Sequence, residues 1–293
     1  MRRISVAKFP NSAQLYKFCF KVLMHQRGGK VNDQEVGAML DFNPSDCSHW
    51  KRGEKNVKSV FALATLSETL GVESTLIHDV ASGAVDVDEA YFEYLESRNF
   101  AQIVARATDC GIEDLEAARR RVEAFVSQIH AQSEFTTAPL YLPEVMRFFS
   151  FISTQAVDIV DNLTRILRVR PGQYCVQFRK GDLKPQTRMS IAKDLGRIIF
   201  DAERARFPEL GAARPELIPF EILFFVSALL IPKGMMLQEM AKLDARRNIV
   251  SELSALFWVP KSVVSFQMQD VVRKGEMLAM SQMNKVQMDQ TAL

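Results

Sequence analysis

The sequence predicts a mainly α chain: an N-terminal helix-turn-helix bundle over residues 1–83, a helical connector over 84–138, and an α+β domain with a small antiparallel sheet over 139–293. Three observations carry that expectation. Two short capped segments flank a tight turn between Asn32 and Gly53. Apolar residues recur at helical spacing from Ala90 to Ile129, and one segment, Tyr174-Cys175-Val176-Gln177-Phe178, alternates as a short strand does.

The N-terminal elements follow from local chemistry. Asn32 caps a helix with Glu35 as its reciprocal partner three residues on, and Val36, Met39 and Leu40 form its apolar stripe. Asn43 caps the next helix, Pro44 fits a first turn where its missing N–H costs nothing, Cys47 and Trp50 fall on one buried side, and Gly53 ends the element. Short polar side chains near its start and cations near its end are left facing outward, the distribution that suits a helix lying in the major groove of double-stranded DNA. Ser45, Asp46, Ser48 and His49 are the candidates for base edges, and Lys51, Arg52 and Lys55 for phosphates. Asp46 puts a carboxylate near the duplex, where it either repels the backbone or accepts from a cytosine amino group.

These residues resemble the lambda-repressor-like (XRE) helix-turn-helix family, whose pattern runs close to T-Q-E-E-L-A-x-x-L-G-V-S-x-S-x-I-S-x-W-E-x-G. The similarity extends through Val60–Leu76, like that family's fourth helix and the start of its fifth, and covers roughly residues 12–83. It departs from the pattern at two places: Asp33 stands where Gln is usual, and Lys51 where Glu follows the Trp. The first 83 residues hold 11 Lys or Arg against 8 Asp or Glu, a weak electrostatic footprint, so binding is expected to need a homodimer.

Composition narrows the classes. With 293 residues and 47% hydrophobic content the chain has ample material for two or three packed domains, and a net charge of +2 gives no case for polyanion binding by the whole molecule. Residues 84–134 hold 11 acids and 5 bases, a segment expected to stay away from DNA. Cys19, Cys47, Cys110 and Cys175 are scattered without a Cys-x-x-Cys pair, which fits buried reduced thiols better than disulfides or a thiolate metal site. Met1-Arg2-Arg3 is followed by no apolar signal core, and the run from Ile222 to Pro232 is far short of the ~20 residues a bilayer span needs. A cytoplasmic protein without membrane contact is expected.

Gly111 with Ile112-Glu113-Asp114 turns the chain into a second connector helix, whose Arg119-Arg120-Arg121 spread around the axis toward solvent or ion pairs. Pro143 is expected to start a helix running through Met146, Phe149, Ile152, Ala156 and Ile159. Arg170-Pro171-Gly172 breaks the next segment, and Lys180-Gly181-Asp182 makes a turn after the strand.

Arg188-Met189-Ser190-Ile191-Ala192-Lys193-Asp194-Leu195-Gly196-Arg197, with Phe225 to Pro232 downstream, resembles the ImmA/IrrE-type metallopeptidase domain, whose zinc helix reads R-x-F-T-L-A-H-E-L-G-H. Zinc there needs two neutral imidazoles at i and i+4 and a Glu to take a proton from bound water. Lys193, Arg197 and Asp194 occupy those positions, the third ligand falls near Pro219 between Glu216 and Glu221, and no His follows His130. The implied domain is therefore a degenerate, pseudo-metallopeptidase-like one with no catalytic residues, no metal and no cofactor. Lys193 and Arg197 share a face and are candidates for holding a small anionic ligand; the plainer expectation is that they pair with Asp194, Glu216 or Glu221. Ile249 to Met268 has the look of another helix, turn and helix, similar to that family's small helical region, while Met277, Met280, Met283 and Met288 offer an adaptable apolar contact.

Taken together, the expected function is a homodimeric DNA-binding transcriptional regulator, not an enzyme, whose C-terminal domain serves sensing or oligomerisation through a ligand or protein partner. The alternatives are a protein-interaction adaptor or antitoxin-like module, and an active zinc peptidase.

Overall fold

The computed structural model describes residues 7–40, 43–133, 135–160, 162–181, 184–244 and 247–273. It is mainly helical with one small sheet, and divides into two compact units, Met1–Arg98 and Asn99–Leu293. The four C-terminal methionines singled out above lie outside the described residues.

In the first unit, helix α1 (Pro10–Arg27) starts with proline in its first turn and stops at Gly28, whose φ of 63° is open to glycine at no steric cost. Helix α2 (Asp33–Ala38) opens on the expected capping box: Asn32 Oδ1 accepts from the Glu35 amide at 3.0 Å, and Glu35 Oε2 accepts from the Asn32 amide at 2.8 Å. Helix α3 (Pro44–Lys51) is capped by Asn43, which accepts from the Asp46 amide at 2.9 Å. Helices α4 (Val60–Leu70) and α5 (Ser74–Ser82) complete a bundle around Leu15, Phe18, Val36, Trp50, Leu66 and Ile77, none of them exposed. Helix α6 (Val87–Asp109) contributes Val87, Ala90 and Tyr94 to the same core.

The expected connector over 84–138 is thereby divided. The start of α6 belongs to the first core, whereas α7 (Ile112–Gln132) buries Leu115, Ala118, Val122, Phe125, Val126 and Ile129 within the second unit, against α10 (Ile218–Leu230). Helix α10 is apolar almost all round: Phe220, Leu223, Phe224, Phe225, Val226, Leu229 and Leu230 are at most 1% exposed, as expected of a helix at the centre of a core. Helix α9 (Pro185–Arg197), extended by a π-helical turn at Ile198–Ala202, lies so close to α10 that a Cβ on Gly196 would stand 3.1 Å from Ile222 Cγ2 and 3.3 Å from Phe225. Helix α8 (Leu142–Met146) precedes the sheet; α11 (Lys233–Met240), α12 (Ile249–Phe257) and α13 (Lys261–Arg273) close the unit.

Two features differ from the sequence reading. The helix expected from Pro143 to Ile159 stops at Met146, and Ile152–Val157 is strand β1. Apolar residues at spacings of three and four mimic a helix there, but Ser153, Thr154, Gln155 and Ala156 are exposed and the backbone is spent on a ladder with β3. The sheet, ordered β1-β3-β2, is also mixed, not wholly antiparallel. Strands β2 (Thr164–Arg170) and β3 (Gln173–Arg179) pair antiparallel across the Pro171-Gly172 turn, while β1 lies parallel to β3, with Ile152 opposite Tyr174 and Val157 opposite Arg179. The expected strand at 174–178 is its central member.

The expected ion pairing of the arginine triplet holds for two members. Arg119, 6% exposed, reaches Asp270 and Glu116, and Arg121 lies 3.4 Å from Glu221, while Arg120 is exposed. All four cysteines are free, with Cys19, Cys47 and Cys175 buried and Cys110 half-buried. Among the described residues no single helix is long and apolar enough to cross a membrane.

Candidate functional site

The orientation of α3 is set from its buried side. Trp50 is unexposed, donates from Nε1 to the Ser12 carbonyl at 2.8 Å, and meets the Tyr16 ring edge-on at 5.2 Å. Ser12 also accepts, through Oγ, from the Val57 amide at 2.9 Å, so one α1 residue holds both the helix and the chain that leaves it. Gly53 makes the exit possible: its φ is 70°, and a Cβ there would stand 2.8 Å from the Phe9 carbonyl oxygen, while the Phe9 amide donates to the Gly53 carbonyl at 2.7 Å. Truncating Trp50 to alanine in such a core costs about 3–5 kcal/mol.

The opposite face carries the residues nominated for DNA. Ser45, His49, Lys51 and Arg52 are exposed, and Asp46, Ser48 and Lys55 half-buried. None stands alone. Ser45 Oγ donates to the capping Asn43 at 2.7 Å; Lys55 lies 3.3 Å from Asp46; Arg52 donates to Ser48 Oγ at 2.8 Å and to Glu54 at 2.8 and 3.1 Å. His49 Nδ1 lies 2.5 Å from the second Glu54 oxygen. The Arg52 guanidinium, and after it His49, hold the Glu54 carboxyl down at about 2. Glu54 is the residue the sequence reading missed, and its position two residues after Arg52, across the glycine turn, was the available signal.

Both departures from the repressor-like pattern turn out to be one contact. Lys51 Nζ donates to Asp33 Oδ2 at 2.9 Å and Oδ1 at 3.1 Å, and Tyr16 donates its hydroxyl to Asp33 Oδ1 at 2.5 Å. The Tyr16 hydrogen bond first, and Lys51 second, keep the Asp33 carboxyl below the usual carboxylate range. A cation in α3 thus faces an acid at the start of α2.

In the second unit, Lys193 and Arg197 line one cavity of about 560 Å³ together with Arg106, Asp201, Tyr174 and Pro219. The two cations and the proline are the three positions at which the metallopeptidase resemblance would require ligands. Arg197 donates to Asp194 Oδ1 at 2.6 Å, Lys193 lies over the Phe100 ring at 5.5 Å, and Asp194 is only 2% exposed. Glu216 is exposed, and Glu221 is engaged elsewhere, accepting from Arg204 at 2.5 and 3.0 Å. Of the expected pairings, Arg197 with Asp194 forms; Glu221 serves Arg204 and Arg121 instead. Arg106 and Tyr174 are cavity residues that only the fold brings in. Among the described residues no three His, Cys, Asp or Glu side chains gather in a way that could hold a metal ion, and two cations at the positions that the resemblance assigns to zinc ligands do not fit one.

No family model matches the chain, and neither a curated protein nor a solved structure shows similarity to it.

Proposed function

We propose that this chain is a sequence-specific DNA-binding transcriptional regulator, working in the cytoplasm as a homodimer, in which α3 of each subunit enters the major groove. One observation carries the reading: α2 and α3, capped at Asn32 and Asn43 and locked by Trp50, leave Ser45, Asp46, Ser48 and His49 on the outward side with Lys51, Arg52 and Lys55 at the far end. The order suits base edges at the helix start and phosphates at its end. The ion pairs on that face are exposed or half-exposed, and such surface pairs are worth about 0–1 kcal/mol, so a phosphate can take over a cation at small cost. The second unit, with cations where a relative of the metallopeptidases would carry zinc ligands, serves sensing or oligomerisation, and the cavity beside Lys193 and Arg197 suits a small anion.

Fluorescence anisotropy on duplex fragments from around the chain's own gene, at two salt concentrations, tests this. Binding that weakens with salt and disappears in Arg52→Glu is the expected result; absence of binding to every fragment overturns it.

A second reading is favoured by the same face. Each nominated phosphate cation already has a carboxylate partner, and Val60 and Phe61, at the start of α4, are 80% and 86% exposed. Both features suit a protein-interaction adaptor or antitoxin-like module, which predicts no salt-dependent DNA binding and an activity left unchanged by charge reversal at Lys51 and Arg52.

A further inference from the structure

A second cavity in the Asn99–Leu293 unit, of about 350 Å³, lies between the segment Pro139–Pro143, Met146, the strands at Thr154 and Phe178, and Arg188, Ile191 and Trp258. Its walls are mostly apolar, with Tyr141 and Thr154 as the hydroxyl-bearing members and Arg188 as the one charge. Arg188 is 5% exposed, and its guanidinium donates to three backbone carbonyls: Phe257 at 2.5 Å and Trp258 at 3.0 Å through Nη1, and Leu140 through Nη2. Phe257 and Trp258 are the last residue and C-cap of α12, where carbonyls lack intrahelical donors, so the arginine closes that helix. Trp258 is held with φ of 51° and ψ of 56°, a conformation that a bulky residue adopts only when its surroundings enforce it.

Capping uses three of the five N–H donors of the guanidinium and sets carbonyl dipoles, but no formal negative charge, against it. Among the described residues no carboxylate pairs with Arg188, in contrast with Arg119 and Arg204, which are similarly buried and do have acid partners. Burial alone pulls the Arg188 group down to about 10, which leaves it fully charged at neutral pH. A buried cation without a counter-ion is costly, and the side chain that carries it lines an apolar space large enough for a small organic molecule.

We propose that this cavity binds a small apolar monocarboxylate, aliphatic or monoaromatic, with its body against Leu140, Met146, Phe178 and Ile191 and its carboxylate on the free donors of Arg188. The ligand supplies the missing negative charge, and the carbonyls of Leu140, Phe257 and Trp258 keep the guanidinium oriented. The site is separate from the cavity beside Lys193, whose Arg197 is exposed and already paired with Asp194. It stands whether or not α3 meets DNA.

Titration calorimetry of the full chain with octanoate, 3-phenylpropanoate and octan-1-ol tests it. At least one acid should bind saturably, and octan-1-ol at least about tenfold more weakly than octanoate, because a charge-assisted bond to a buried cation is worth that much. Arg188→Lys, which keeps the charge but loses the planar fork, should weaken acid binding by a similar factor. Thr154 is exposed at the cavity rim, so Thr154→Trp should block the cavity without disturbing the Arg188 contacts, and abolish acid binding even if the arginine variant fails to fold. Octan-1-ol binding as tightly as octanoate, no saturable binding of either acid, or undiminished binding in Thr154→Trp would each overturn the proposal.

Discussion

The cations of the two units are used in opposite ways. Around α3, Lys51, Arg52 and Lys55 lie at the surface, each against a carboxylate from its own neighbourhood. In the second unit Arg119 and Arg204 are 6% and 8% exposed and hold the fold: Arg119 lies over the Phe220 and Phe224 rings and reaches Asp270, while Arg204 donates to Glu221 and to the carbonyls of Leu210 and Gly211. Solvent makes the first kind of contact cheap to exchange, and desolvation makes the second costly to break. Among the cations that have carboxylate partners, those open to exchange and those spent on structure are therefore separated by burial, not by residue type.

The largest effect should come from breaking a buried pair. Glu221→Ala leaves Arg204 buried without its carboxylate and Arg121 without its nearest acid, and should destabilise the second unit by about 3–5 kcal/mol in urea unfolding. A loss below about 1 kcal/mol would erase the contrast.

Next in size is the backbone that sets α3. Gly53→Ala forces a side chain onto a left-handed residue and against the Phe9 carbonyl, and should cost about 1–3 kcal/mol in thermal unfolding of the first unit. Gly196→Ala, whose Cβ crowds the Ile222 and Phe225 side chains and meets the Ile222 backbone only at an ordinary 3.7 Å, at normal helical geometry, should cost less, so the order of the two variants checks that strain and crowding differ as described.

A smaller effect depends on pH. Burial holds the His130 imidazole below its ordinary range, against the opposing hydrogen bond from Nε2 to the Leu229 carbonyl at 3.0 Å. The unfolded chain takes up this proton near pH ~6.5 while the folded one still excludes it, so the contribution is complete above that pH and is lost as pH falls toward the lower folded value. Urea midpoints should drop between pH 7.5 and 5.5, and His130→Gln should flatten the slope; an unchanged slope would remove His130 from the account.

The smallest stability effect belongs to the α3 surface. Lys51→Ala and Arg52→Ala should each shift unfolding by less than about 1 kcal/mol. Under the DNA-binding reading each should nevertheless weaken association and lower the salt slope by about one unit. Variants that change stability strongly would place these cations with the structural arginines instead.

Local chemistry made much of the first unit readable. The capping asparagines, Gly53, and the buried pair Cys47 and Trp50 are decided within a few residues along the chain, where hydrogen bonds and helical spacing act directly. The second unit was less so. Ile152–Val157 became a strand because β3 lay ready to pair with it, and a spacing of three and four residues cannot reveal a partner more than twenty positions away. For the surface of α3 the sequence named the cations but not what they face.

By itself the sequence determined the caps of α2 and α3, the stop at Gly53, which residues of α3 turn inward, and that Lys193 and Arg197 stand where the metallopeptidase resemblance would put zinc ligands. Only the tertiary structure decided that Asp33 meets Lys51 and that Arg188 is buried at the wall of an apolar cavity without a carboxylate among the described residues. Caps, periodicity and backbone sterics act over one or two turns of chain, whereas the pairing of charges and the dielectric around them depend on segments that meet only when the core closes.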